Sequence, residues 1–238
     1  MARGFPDWQD TKGLNRQGEY IPYFAEPPLW WFDDFNSPTF KWTQIGATVS
    51  HRAGSETGVA NDVPWSGEGL MRLYSTTNNT AQAMVLLGAP TTETDLGIEI
   101  VMSYHSADDY TDSNTDHEVI KLDVYNGSTN IRVILTWNPA TGNWYVTGPT
   151  AADVNLVGTV KSGGSAWSVV KLVFNLSDGY YKRLYVGNWS ADISAYQLYA
   201  VGATTSNYSQ ISMKYKCIAT EMYQYTNIGF VKVTYGET

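Results

Sequence analysis

Leu96-Gly97-Ile98-Glu99-Ile100-Val101-Met102-Ser103-Tyr104-His105 alternates with period two. Leu96, Ile98, Ile100, Met102 and Tyr104 fall on one side; Gly97, Glu99, Val101, Ser103 and His105 fall on the other. Successive side chains of a strand point to opposite faces, so the stretch reads as a half-buried β-strand. The same period recurs from His117 to Tyr125, where Val119, Lys121, Asp123 and Tyr125 oppose Glu118, Ile120, Leu122 and Val124. Ile131–Trp137 sets Ile131, Val133, Leu135 and Trp137 against Arg132, Ile134 and Thr136. Further strands are predicted over 69–75, 81–88, 167–175, 180–186, 195–201, 210–217 and 227–235.

Turn chemistry separates these runs. Asn126-Gly127 is a strong hairpin signal, because asparagine and glycine tolerate the left-handed backbone of a tight turn. Trp137-Asn138-Pro139-Ala140-Thr141-Gly142-Asn143-Trp144 predicts a longer hairpin with its two Trp as a cross-strand pair. Ser177-Asp178-Gly179 joins a third pair. No stretch longer than about ten residues holds a helical period without Gly or Pro. Many strands at this spacing predict an all-β, two-sheet antiparallel sandwich.

Composition agrees. Of 238 residues, 43% are hydrophobic and 14% aromatic, with 17 Tyr and 9 Trp, but only 16% are charged. The surface is then built of Tyr, Thr, Ser, Asn and Gly. Fifteen Lys and Arg against 23 Asp and Glu give a net charge of −8, which argues against a nucleic-acid partner. No apolar run reaches the roughly 20 residues of a membrane helix, so no membrane partner is expected. Asp7 and Asp10 stand where a secretory signal would be apolar. Cys217 is the only cysteine, which excludes an internal disulfide and a cysteine-based zinc cluster.

Residues 1–28 differ from the rest. Gly4, Gly13 and Gly18 alternate with Pro6, Pro22, Pro27 and Pro28, and proline's fixed φ and missing donor rule out a regular helix or central strand. Yet the segment carries Phe5, Trp8, Tyr20, Tyr23 and Phe24, whereas disordered tails are poor in aromatics. The expectation is an extended N-terminal arm that docks on a partner or along its own domain, followed by one sandwich domain over 29–238.

Phe32-Asp33-Asp34-Phe35-Asn36, followed by Phe40-Lys41-Trp42, resembles the opening strand of the concanavalin A-like (laminin-G-like) jelly rolls. Gly67-Glu68-Gly69-Leu70-Met71-Arg72-Leu73 is similar to their early Gly-rich strand. Trp167-Ser168-Val169-Val170-Lys171-Leu172-Val173-Phe174, with Asp178-Gly179-Tyr180-Tyr181-Lys182-Arg183-Leu184-Tyr185, resembles their late hairpin, and Asn227-Ile228-Gly229-Phe230-Val231-Lys232-Val233 their closing strand. The resemblance covers about residues 29–236. It implies two stacked sheets of six or seven strands, one convex and one concave. It implies no activity, because the fold hosts lectins, glucanases, carbohydrate modules and virion proteins. Separately, Met1-Ala2-Arg3-Gly4-Phe5-Pro6-Asp7-Trp8 resembles the start of tailed-phage virion proteins.

Glycosidases of that fold carry paired carboxylates on one strand of the cleft, about 5–5.5 Å apart for a retaining mechanism. Glu118 is the best candidate, and Asp116 shares its face, but Ile120 and Leu122 occupy the positions where partners are needed. Glu93 and Asp95 share a face that continues with Gly97. Glycoside hydrolysis is therefore the weakest reading, and no catalytic residue is assigned. The loop from Asp108 to Asp116 holds four Asp within nine residues, which suits calcium chemically but also suits a solvated acidic loop. No other cofactor or metal is expected. His51, His105 and His117 show no zinc spacing. His105 shares a face with Glu99 and Ser103, yet residues along one strand face lie in a row and do not converge. Five Asn-x-Ser/Thr sequons, at Asn78, Asn126, Asn175, Asn188 and Asn207, carry no weight without a secretory signal.

The remaining handle is exposed aromatics, which anchor interfaces and stack on sugars. Trp65, Trp189, Tyr196 and Tyr208 are the candidate contacts to a glycan or partner, and Tyr199, Tyr223 and Tyr225 also lie in or beside polar stretches. Trp42, Trp137 and Trp167 are expected in the core. The expectation is a non-enzymatic virion structural protein, a capsid decoration, head or tail component of a phage made in the host cytoplasm. It would form homo-oligomers and contact other virion proteins through its arm and aromatic surface. The alternatives are a carbohydrate-binding, lectin-like module, extracellular if a signal has been removed, and the hydrolase.

Overall fold

The computed structural model describes residues 28–35, 37, 39–46, 49–52, 69–75, 80–88, 93–105, 116–138, 142–156, 167–202, 208–216 and 224–237. The arm aromatics Phe5, Trp8, Tyr20, Tyr23 and Phe24, Trp65, Tyr223 and residues 108–115 of the acidic loop lie outside the described residues. All regular elements among the described residues are strands. They are β1 (Leu29–Asp33), β2 (Thr43–Gly46), β3 (Val49–Arg52), β4 (Leu70–Ser75), β5 (Thr80–Gly88), β6 (Asp95–His105), β7 (Asp116–Tyr125) and β8 (Asn130–Asn138). They continue with β9 (Asn143–Thr147), β10 (Asp153–Leu156), β11 (Ser168–Asn175), β12 (Tyr180–Val186), β13 (Trp189–Asp192), β14 (Tyr199–Gly202), β15 (Ser209–Lys216) and β16 (Gln224–Tyr235).

Two antiparallel eight-stranded sheets stack into a jelly-roll sandwich. The first runs β13-β12-β11-β6-β16-β4-β3, with β1 pairing to the far half of β16. The second runs β10-β9-β8-β7-β15-β5-β2, with β14 on β8. Each sheet thus has one or two more strands than the family resemblance implies. Short edge strands make up the difference. Local hairpins build β7 to β10 and β11 to β13, whereas β4, β5, β6 and β7 alternate between the sheets. That alternation places β6 and β7 in the middle of opposite sheets.

The core lies between the sheets. Ile98, Ile100 and Met102 of β6, Leu122 and Val124 of β7, Leu172 and Val233 all belong to this one buried cluster. Trp137 and Trp144 sit in register and stack with ring centroids 6.0 Å apart, the predicted cross-strand pair. Tyr181 ties the sheets together: its hydroxyl donates to Thr147 O (3.0 Å) and accepts from Ile134 N. Burial pushes its phenol pKa upward. The acidic-aromatic opening motif is structural. Asp33 Oδ1 accepts from Phe35 N (2.9 Å) and Oδ2 accepts from Trp42 Nε1 (3.0 Å). This local bonding holds Phe35 at a φ of 59°, where its ring is buried against Trp42. Trp42 joins the core as expected, but Trp167 is only half-buried, at the start of β11.

Three sequence expectations need correction. The predicted strand 195–201 is regular only from Tyr199; residues 193–197 turn, with Tyr196 O accepting from Tyr181 N. The alternation predicted over 117–125 is interrupted by a bulge between Glu118 and Ile120, so Val119 and Ile120 are both in the core. From Leu96 to Ser103 the strand is buried on both faces: Glu99 and Ser103 are nearly as inaccessible as Ile98.

Candidate functional site

The outer face of the second sheet is the candidate contact surface. Its residues alternate with core residues: Arg132, Ile134 and Thr136 with Val133 and Leu135, Gln210, Ser212 and Lys214 with Ile211 and Met213. Antiparallel registers align them in rows. One row is Tyr199, Arg132, Asp123, Gln210 and Leu86. The next is Ile134, Lys121, Ser212, Met84 and Thr43. A third runs from Tyr145 through Thr136, Glu118, Lys214 and Gln82 to Ile45.

The first row is bonded across three strands. Arg132 Nε and Nη2 donate to Asp123 Oδ1 (2.6 Å) and Oδ2 (3.2 Å), and Gln210 Nε2 donates to Oδ2 (3.0 Å). A two-pronged guanidinium–carboxylate contact fixes both side chains in one plane. Asp123 is buried beneath it, while the Arg132 side chain remains 28% exposed. A partly exposed guanidinium held rigid in this way can receive hydroxyl or carbonyl acceptors at little ordering cost. Half-buried Tyr199 stands in register beside Arg132, and Leu86 (53% exposed) closes the other end.

The bulge in β7 changes the catalytic reading of this strand. Ile120 and Leu122, the expected gaps in the carboxylate motif, point into the core. The outward positions after the bulge belong to Lys121 and Asp123. Asp123 is ion-paired to Arg132. The register seats Glu118 between Thr136 and Lys214. Two members of the other candidate trio are placed apart in role: Ser103 Oγ accepts from Asn227 Nδ2 (3.4 Å), while buried Glu99 Oε2 has no hydrogen-bond partner. His51 and His117 lie on strands of opposite sheets. Among the described residues, no three His, Cys, Asp or Glu gather as metal ligands. No helix among them is long and apolar enough to cross a membrane.

The predicted contact aromatics are scattered. Trp189 and Tyr196 are half-buried and pack against the core at the β12–β13 side of the first sheet. Tyr208 is 39% exposed, just before β15. Tyr225 carries the Arg72 guanidinium 4.1 Å above its ring, and Arg72 Nε donates to Asn227 Oδ1 (2.8 Å). Asn126 and Asn175, two sequon asparagines, serve their turns: each side-chain oxygen accepts from backbone N–H groups two and three residues on. The Arg132–Asp123–Gln210 row escaped sequence reading, because only the register brings residues 123, 132 and 210 together. Arg and Asp placed oppositely beside Asn126-Gly127 were its one available signal.

The sequence matches no family model and no curated protein. Its similarity to solved structures is one of shape. The conserved carbohydrate esterase of Shiga toxin-encoding bacteriophage phi24B superposes with a TM-score of 0.55 at 12% identity, over 88% of this chain and 99% of that one. An endo-1,3-β-glucanase from Streptomyces sioyaensis gives 0.51 at 11% identity, over 88% and 96%. The Emp46p carbohydrate recognition domain, potassium-bound, gives 0.50 at 12% identity, over 85% and 94%. The chain spans only 48% of the botulinum neurotoxin serotype G binding domain and 16% of a sialidase, at TM-scores of 0.49 and 0.44. At these identities the likeness shows the fold alone: an all-β, two-sheet antiparallel jelly-roll sandwich.

Proposed function

We propose that this chain is a non-enzymatic virion structural protein, a decoration, head or tail component of a phage, with the jelly roll as its contact domain. The observation that carries the reading is the joining of a closed sandwich to a proline-rich segment bearing Phe5, Trp8, Tyr20, Tyr23 and Phe24. Each such aromatic contributes about 1.5–3 kcal/mol when fully buried in a partner, before ordering costs. The likeness in shape to a phage protein over nearly its whole length supports the setting. On this reading the partners are further copies of the chain and other virion proteins. The non-enzymatic part rests on the outward positions of β7, where Lys121 and the ion-paired Asp123 follow Glu118.

The test is deletion of residues 1–27, followed by sedimentation and by binding to particles lacking this protein. Loss of oligomer or of particle binding, with the sandwich still folded, is the expected result. Unchanged assembly defeats the proposal.

A second reading, a carbohydrate-binding module, is favoured by the rigid Arg132–Asp123–Gln210 row beside Tyr199. The same fold in a carbohydrate recognition domain adds to it. It predicts glycan-array hits that weaken on replacing Arg132 or Tyr199. An empty array counts against it. Both readings hold together if a virion surface protein contacts host glycans.

A further inference from the structure

Water reaches the outer faces of the two sheets unequally. On the second sheet, Leu86 is 53% exposed and the Arg132 side chain 28%. On the first, Leu70 of β4 is 0% exposed, Val101 of β6 1% and Phe230 of β16 3%. These three stand outside the buried cluster between the sheets, although their neighbours Met71, Ile100, Met102 and Val231 belong to it. They therefore point outward. Phe230 is in register with Val101, and Leu70 follows the Met71–Ile228 pair on the side of Phe230. Since β4, β16 and β6 are consecutive in the sheet, the three form one apolar stripe. Asn227 (0%) and Ser103 (1%), in register with each other, are sealed beside it. Every described strand belongs to one of the two sheets, so none lies over the stripe. Glu237, paired with Lys171 at 2.8 Å, crosses the sheet at Gly97, near the start of β6. On β1 the stripe opens to solvent: the Phe32 ring is 6.1 Å from that of Phe230, and Phe32 is 40% exposed.

We propose that the outer face of the first sheet is the seat of the N-terminal arm, and that the aromatics of residues 1–27 cover the Leu70–Phe230–Val101 stripe of their own chain. The burial is that of a single chain, so its cover belongs to that chain. The arm also joins the sheet beside the stripe. Pro28 O accepts from Tyr235 N (3.0 Å) and Leu29 is in register with Thr234, both on β16, the strand that carries Phe230. Reach is ample: neighbouring strands are about 4.8 Å apart, whereas an extended chain gains about 3.3 Å per residue. Composition then favours the arm. Phe5, Trp8, Tyr20, Tyr23 and Phe24 give it five aromatics, whereas residues 53–68, the next longest stretch outside the described residues, hold only Trp65. A bare stripe would be an exposed apolar patch in the middle of a sheet, and a proline-rich segment with no apolar period of its own has use for five aromatics if they fill that place. On the assembly reading above, which this seat does not require, copies join by exchanging arms between identical seats.

The experiment is thiol labelling at the stripe. Cys217→Ser removes the only native thiol. In that background Val101→Cys puts a thiol beneath the arm, and Leu86→Cys puts one on the open face of the second sheet. Removing residues 1–27 should speed labelling at position 101 by at least about tenfold and leave position 86 unchanged. A synthetic peptide of residues 1–27 should restore the protection in a saturable way. If the truncated chain does not fold, the full chain carrying Phe5→Ser, Trp8→Ser, Tyr20→Ser and Tyr23→Ser together should show the same acceleration. Protection at position 101 that survives these changes overturns the proposal and passes the cover to residues 53–68. Equal acceleration at positions 86 and 101 also overturns it, because the whole sandwich has then loosened. The readout is separate from assembly: if truncation abolishes oligomers while position 101 stays protected, the seat fails and the assembly reading stands.

Discussion

The two sheets present outer faces that look alike in sequence and differ physically. Each carries an acid and a base in register: Glu99 with Lys171 on the first sheet, Asp123 with Arg132 on the second. On the second sheet the pair is bidentate, joined by Gln210 and open to solvent at the arginine. On the first sheet the in-register pair is buried, and the lysine's carboxylate at 2.8 Å comes from elsewhere, at Glu237. Period-two patterning fixes which side of a strand a charge takes. It does not fix whether that side meets water, and the energy of a charge depends mostly on the latter.

The largest expected effect follows from that difference. Lys171→Ala strands Glu237 and removes a buried, fully packed stem; loss of one partner of a buried pair costs about 3–5 kcal/mol. Arg132→Ala, with the arginine partly in solvent, should cost no more than about 1–2 kcal/mol, most of it from leaving Asp123 to Gln210 alone. Chemical denaturation of the two variants tests the ordering. Equal losses would mean that the outer faces are energetically the same.

Glu99→Gln gives the next effect, and its sign depends on pH. Burial raises the Glu99 pKa, outweighing the pull of Lys232 and Lys171. The folded chain therefore holds this proton more tightly than the unfolded chain does. Stability associated with Glu99 falls as pH rises above the ordinary glutamate range, and the penalty is absent below it. Glu99→Gln should raise Tm at about pH 8, and the gain should shrink toward about pH 4. A loss of Tm at the higher pH would instead make Glu99 the charged partner of Lys171.

These contrasts also show what the sequence could carry. The strand from Leu96, the Trp137–Trp144 pair and the turns at Asn126 and Asp178 were legible, because each is local: a period, or a turn residue between two periods. The double burial of β6 was not, since Glu237 reaches it from more than a hundred residues away. The bulge after Glu118 was also hidden. Val119-Ile120 is an ordinary apolar pair in sequence, and only pairing with Leu135 shows that both residues face inward. That single extra residue turns Val119 inward beside Ile120, while Asp123 keeps the outward side it shares with Lys121. Trp189 and Tyr196 looked like loop contacts because polar neighbours surround them; packing against the core takes up much of their surface.

Asp123→Asn sharpens the comparison at the smaller end. The amide keeps the shape but loses the charge that holds Arg132, and its NH₂ presents a donor to the Arg132 or Gln210 donors. Hydrogen bonds to a charged group contribute about 1.5–3 kcal/mol, so a stability loss toward the lower value is expected, less than for Lys171→Ala. The informative readout is a ratio. If the outer face of the second sheet is a contact surface, Asp123→Asn releases Arg132 and weakens glycan or partner binding, while Glu99→Gln leaves binding untouched. A stability change with no change in binding would make the Arg132–Asp123–Gln210 row a strut of the sheet, and the contact role would pass to the aromatics.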